Sequence, residues 1–220
     1  MPEIQINEKL ISFLFFLPLF FLSLAIHEYS HAFSAYKFGD DTAKRQGRLS
    51  LNPIRHLDLI GSVVMPVLSF ASGFMLIGWA KPVPVNRENF KNKLRDDAVV
   101  SAAGPISNFL LALLFFVLIV LMQNLNLEQS TANERIYNLL NLGVYFNIFL
   151  FAFNLLPIPP LDGSHILYDL FPNRMTAGLL NAGIYGFFIL MVFIYSPLWT
   201  YFVQIINSIY SLFFKLSGMV

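Results

Sequence analysis

LISFLFFLPLFFLSLAIHEYSHAFSAYKF, residues 10–38, decides what kind of molecule this is. Leu10 to Ile26 carry no charge, and the whole stretch outruns the roughly 20 apolar residues that cross a hydrocarbon core. It nevertheless ends in HEYSH, residues 27–31, which puts two imidazoles and a carboxylate inside a membrane-length helix. A charge at that depth costs roughly 3 kcal/mol or more and is kept mainly for function. Residues four apart share one helical face, so His27 and His31 can reach a single ion. Glu28 stands about 100° round the helix from His27, able to approach a metal's water rather than the metal. Two satisfied core histidines would be a fair reading in a soluble helix. In a membrane segment the metal reading is stronger.

The composition agrees with a lipid-facing exterior. The chain has 220 residues, room for a single domain (1–220), of which 56% are hydrophobic and 12% charged, against about 25% charged in soluble domains. Phe alone occurs 24 times, and the mean hydropathy is +0.63. The net charge of +1 says nothing about nucleic acid, but no basic cluster has the aromatic interleaving of an RNA binder, so no nucleic-acid partner is expected. The absence of cysteine removes thiolate metal sites, iron–sulfur clusters, disulfides and thiol nucleophiles, so His, Asp or Glu must hold any metal. Glu3 and Glu8 against a lone Lys9 give no basic n-region, so the first apolar stretch is expected to remain as a transmembrane helix.

Working outward, Leu10–Phe38, Ala98–Gln123 and Asn138–Leu156 read as spans, followed by Thr176–Tyr195 and Leu198–Leu216 around a break at Ser196-Pro197. Leu59–Ala80 is apolar but interrupted by Gly61, Pro66, Gly73 and Gly78. The expected fold is therefore an all-α polytopic bundle of five to six transmembrane helices. Its catalytic core covers about residues 10–170 and its C-terminal helices about 176–216. Basic residues crowd 37–55 and 81–95 but not 124–137, which places the first two loops in the cytoplasm. Leu59–Ala80 between them is then better read as re-entrant than as spanning. Thr42–Leu51 and Lys81–Val85 look extended, and Pro82 and Pro84 would confine the latter to an edge. Such an edge at Pro82, Val83 and Pro84 could hold a peptide by strand addition.

A metal bound by HEYSH needs a third ligand from His56, Asp58, Asp162, His165 or Asp169. FNLLPIPPLDG, residues 153–163, ends a span with three prolines, which free backbone groups that lipid cannot satisfy. Irregular backbone of that kind lines a wet cavity or is buried in protein, so Asp162 sits at a polar opening, with Gly163 allowing a sharp turn.

HEYSH followed by NLLPIPPLDG resembles the site-2 protease family of intramembrane metalloproteases, in its short form. GRLSLNP (47–53), HLDLIG (56–61), GWAKPVPV (78–85) and AGPISN (103–108) extend the resemblance over roughly residues 23–170. It implies one Zn2+ per chain held by His27, His31 and Asp162, with Glu28 as catalytic base. It also implies a helper role for Asn154, whose amide could bond the scissile carbonyl or developing oxyanion. Asn108 reads as packing glue near the site, His56 as structural, and His165 as a loop residue with at most an outer role. The implied activity is hydrolysis within or beside transmembrane segments of other proteins, or of signal-peptide-like remnants, in a prokaryotic plasma membrane. The other readings are a metal transporter using the same ligands and an inactive helix-binding chaperone.

Overall fold

A computed structural model describes residues 2–72, 78–125, 127 and 130–216. Three long helices form its centre: α1 (Pro2–Lys37), α4 (Lys93–Asn124) and α5 (Thr131–Asn154). Between α1 and α4 lie two short helices, α2 (Thr42–Arg45) and α3 (Met65–Ser72); after α5 come α6 (Asp162–Leu170), α7 (Arg174–Leu180), α8 (Ile184–Tyr195) and α9 (Pro197–Leu216). Phe16, Leu19 and Phe20 of α1 meet Leu111, Phe115 and Ile119 of α4, Val144 and Ile148 of α5, and Phe202 and Ile206 of α9 in one core. Large side chains such as Leu14, Leu110, Leu114 and Val117 stay exposed on the outside, as a lipid-facing surface requires. This is an all-α membrane protein.

Phe13–Lys37, Lys93–Asn124 and Asn133–Asn154 are long and apolar enough to cross a bilayer. The expected span Thr176–Tyr195 is not continuous: α7 and α8 meet at 88°, and together they count as at most a fourth crossing. The bend falls where Asn181 ends α7 and Gly183 takes φ +53°, a left-handed conformation that glycine adopts without strain. The break at Ser196-Pro197 is where expected, with Pro197 opening α9.

Leu59–Ala80 leaves and returns at one place. A π-helical turn (Leu59–Val64) runs into α3, residues 73–77 lie outside the described residues, and the chain comes back beside its start. Trp79 N–H donates to Gly61 O (3.0 Å) and Lys81 N–H to His56 O (2.9 Å), so the two ends of the stretch lie side by side.

Of the two segments expected to be extended, the first begins as a helical turn and the second stays non-helical but pairs with nothing as a strand. No strand forms among the described residues. Thr42–Arg45 is a helical turn, started by the Asp40 carboxylate accepting from Thr42 N and Oγ1. Lys81–Val85 is an irregular strap: Pro82 and Pro84 have no donor, and the Val83 N–H is bonded to a side chain, which leaves no ladder to build.

Candidate metal centre

Two helices meet here in register. On α1, Ser23, His27 and His31 recur every four residues along one face. Antiparallel to them, α4 presents Asn108, Gly104 and Val100 at the same spacing. His27 Nδ1 lies 2.6 Å from Asn108 Oδ1, and His31 Nδ1 lies 2.7 Å from the Val100 carbonyl oxygen. Both histidines are buried, each 7% exposed.

These contacts fix the tautomers. A carbonyl oxygen only accepts, so His31 carries its proton on Nδ1. Asn108 Nδ2 donates to Ser23 O (3.2 Å) and to Asn147 Oδ1 (3.0 Å), so its Oδ1 must be the atom facing His27, which therefore also donates from Nδ1. Asn147 is oriented in turn by donating from Nδ2 to Gly143 O and Ser23 Oγ, both at 2.9 Å. Ser23, Asn108 and Asn147 are completely buried, tying α1, α4 and α5 into one network.

Both Nε2 atoms are thus left with bare lone pairs, 3.0 Å apart and facing each other. The third group is Asp162, in the first turn of α6, whose Oδ2 is 3.2 Å from His27 Nε2 and 3.4 Å from His31 Nε2. That oxygen is buried and has no hydrogen-bond donor. Two lone pairs and a carboxylate oxygen aimed at one point repel one another unless a cation stands between them. The donor set, two neutral imidazoles and a carboxylate with nothing from sulfur, is one that zinc accepts at catalytic sites. Space is reserved as well: a methyl at Gly104 would overlap His31 Nε2 and stand 2.7 Å from His27 Cε1. The three residues form the one such cluster among the described residues, with ligand atoms within 4.8 Å of one another, and they fit a divalent ion.

Asp162 is delivered by close packing rather than by a sharp turn. Gly163 is already helical, and a side chain there would collide with the carbonyl oxygens of Leu155 and Leu156. The proline loop can therefore fold α6 tightly back onto the end of α5.

Glu28, 9% exposed, accepts the Val83 N–H at Oε2 (2.7 Å). The strap carrying Val83 is held by the buried Arg48 guanidinium, which donates to Lys81 O (2.5 Å) and Pro82 O (3.2 Å). Further along, Asn86 N–H and the Asn89 amide donate to the fully buried Asp40, each at 2.7 Å. Of Pro82, Val83 and Pro84, Val83 therefore meets the glutamate, with the two prolines on either side of it in the strap.

The other candidates fall elsewhere. His56 is buried, donates from Nε2 to Ser50 O (2.7 Å) and takes no part in the cluster. Asp58 caps the π-helical turn through Gly61 N–H. Asn154 donates from Nδ2 to Leu150 O on its own helix (3.0 Å). His165 and Asp169 belong to a separate charged group in which Arg87 pairs with Asp97 and Asp169. Burial, and then the neighbouring Asp97 carboxylate, push the Asp169 carboxyl up to about 7. Sequence reasoning missed Val100, whose role rests on a backbone carbonyl, and Arg48. It also passed over Asn147 and Ser23, whose signal is a polar residue inside an apolar span.

The chain as a whole is similar to known proteins. The profile of peptidase family M50 matches residues 15–131 and 123–195. "Putative zinc metalloprotease YwhC" of Bacillus subtilis (strain 168) is 45% identical over 181 residues, covering 82% of this chain and 80% of that protein. "Putative zinc metalloprotease Rip2" of Mycolicibacterium smegmatis is 30% identical over 176 residues, 80% of this chain but 64% of its own length. No solved structure gives a significant match. With the profile covering most of its length and a relative this similar, the chain belongs to peptidase family M50.

Proposed function

We propose that this chain is an intramembrane zinc metalloprotease that cuts peptide bonds in or beside transmembrane segments of other membrane proteins, as in regulated intramembrane proteolysis. The observation that carries it is the convergence of His27 Nε2, His31 Nε2 and Asp162 Oδ2 on one point, with the Glu28 carboxylate on the next helical position. One Zn2+ per chain would be held by those three residues, and when bound it supplies Lewis acidity to a carbonyl and to water. Glu28 takes the water's proton and later returns it to the leaving amine. The Val83 N–H holds Oε2, which leaves Oε1 for that transfer. Asn154 would reach a substrate carbonyl by exchanging its bond to Leu150 O, and Pro82 to Pro84 would lie along the substrate. A helical substrate has to unwind before attack, and the proline-broken end of α5 offers polar surroundings for the freed backbone. Transmembrane proteins or signal-peptide-like remnants are the substrate class, and a prokaryotic plasma membrane the location.

Purified protein in detergent, given a model transmembrane substrate, should cleave it, and a chelator should stop cleavage. Glu28→Gln should lower the rate roughly 10²–10⁴-fold at unchanged zinc content, the range general acid–base catalysis supplies. Cleavage that survives either treatment rejects the mechanism.

The amide network makes a separate prediction. Asn147→Leu removes the acceptor that orients Asn108, and so loosens the hold on His27 Nδ1. Zinc affinity, read by competition with a fluorescent chelator, should fall about 10–100-fold, as for other lost partners of metal-binding histidines. An unchanged affinity would reduce Asn147 to packing.

A further inference from the structure

The last helix carries a polar stripe with nothing against it. At 100° per residue, Thr200, Gln204, Asn207, Ser208, Ser211 and Lys215 fall within an arc of roughly 100° on α9. Gln204, Asn207 and Ser208 are exposed, and with Ser211 they line one open depression. The serines are satisfied on their own helix, Ser208 Oγ donating to Gln204 O (2.8 Å) and Ser211 Oγ to Ser208 O (3.0 Å). The Gln204 and Asn207 amides meet no donor or acceptor on other described residues.

Although α9, the expected span Leu198–Leu216, is not among the described helices long and apolar enough to cross a bilayer, it lies alongside one that is. α9 runs antiparallel along the spanning helix α5: Trp199 packs on Phe153, Phe202 on Phe149 and Tyr210 on Tyr145, and Tyr210 Oη donates to Asn141 Oδ1 (3.1 Å). The exposed apolar residues Tyr201, Ile205 and Leu212 occupy the flank next to the stripe. Unpaired amides against hydrocarbon are costly, and an apolar partner helix would leave them as they are.

We propose that two copies of this chain pair through α9, with the Gln204 and Asn207 amides bonding across the seam. Copies inserted in one orientation are related by a twofold axis along the membrane normal, which sets equivalent residues of parallel α9 helices opposite each other. Carboxamides and hydroxyls both donate and accept, so this stripe is its own complement. Lys215 stands in the last turn of the helix, where a long side chain can carry its ammonium away from the seam.

The chain has no cysteine, so a single introduced cysteine cannot crosslink within one chain. In native membranes oxidised with copper phenanthroline, Asn207→Cys and Ser208→Cys should crosslink at least fivefold more than Ile205→Cys and Leu212→Cys. Two differently tagged copies should also co-purify, and Gln204→Leu combined with Asn207→Leu should reduce that at least tenfold while helix content is kept. Equal crosslinking at all four positions overturns the proposal. So does rapid labelling of Ser208→Cys by a membrane-impermeant maleimide without dimer, which would mark a water-facing stripe, or crosslinking only to a different protein.

Discussion

Asp162→Ala protein is expected to purify folded, with zinc at background level and no measurable proteolysis. Asn108 and the Val100 carbonyl would still hold the two imidazoles, so the variant isolates the contribution of the carboxylate. That contribution is large for two reasons. Two imidazoles alone fall one short of the three protein ligands a catalytic zinc site uses. The Asp162 oxygen is also buried without a donor, so it is committed to the shared point before any ion arrives. The loss should exceed the roughly 10–100-fold that follows removal of an outer partner. Helix stability would change little, because an acidic residue in a first turn contributes about 0.3–1 kcal/mol. Zinc counted by mass spectrometry, beside thermal unfolding of the apo form, separates the two effects. Full zinc occupancy in a folded Asp162→Ala protein would remove the third ligand from the scheme.

What was legible in the sequence was whatever is chemically expensive. His27, Glu28 and His31 stand out because polar groups inside an apolar helix require a reason, and Asp162 because three prolines before it break a span. The long helices were legible from length and hydropathy, although α5 begins at Thr131, before its apolar run does. Less visible was anything delivered by the backbone. Every residue has a carbonyl, so nothing marks Val100 as the one that fixes His31. The 88° bend between α7 and α8 was hidden because the two helices together are long and apolar enough to read as one span. At residues 42–45 a local hydrogen bond from Thr42 to Asp40 outweighed a weak alternation, and helix replaced the expected strand. Asn147 and Asn108 look alike as isolated polar residues; only their mutual bond shows that one orients the other.

Gly104→Ala should empty the metal centre as thoroughly as losing a ligand, although it removes no functional group. The reason is the register between α1 and α4. Val100 and Asn108, one turn either side of Gly104, draw the two imidazoles against α4, and the missing side chain between them is what leaves room for their Nε2 atoms. A methyl there overlaps His31 Nε2, so either the ring swings away from the Val100 carbonyl or the helices separate and the network from Asn108 to Asn147 opens. Neither outcome keeps three ligand atoms on one point. The same change favours the helix itself by about 1 kcal/mol, since glycine is the poorer helix former. Zinc retention and helicity should therefore part company, with metal lost and circular dichroism unchanged. Gly178→Ala supplies the control, because a methyl on α7 meets nothing within 4 Å and should leave zinc untouched. If Gly104→Ala protein binds zinc with wild-type affinity, the lone pairs of His27 and His31 do not face the space beside Gly104, and the proposed geometry of the centre is wrong.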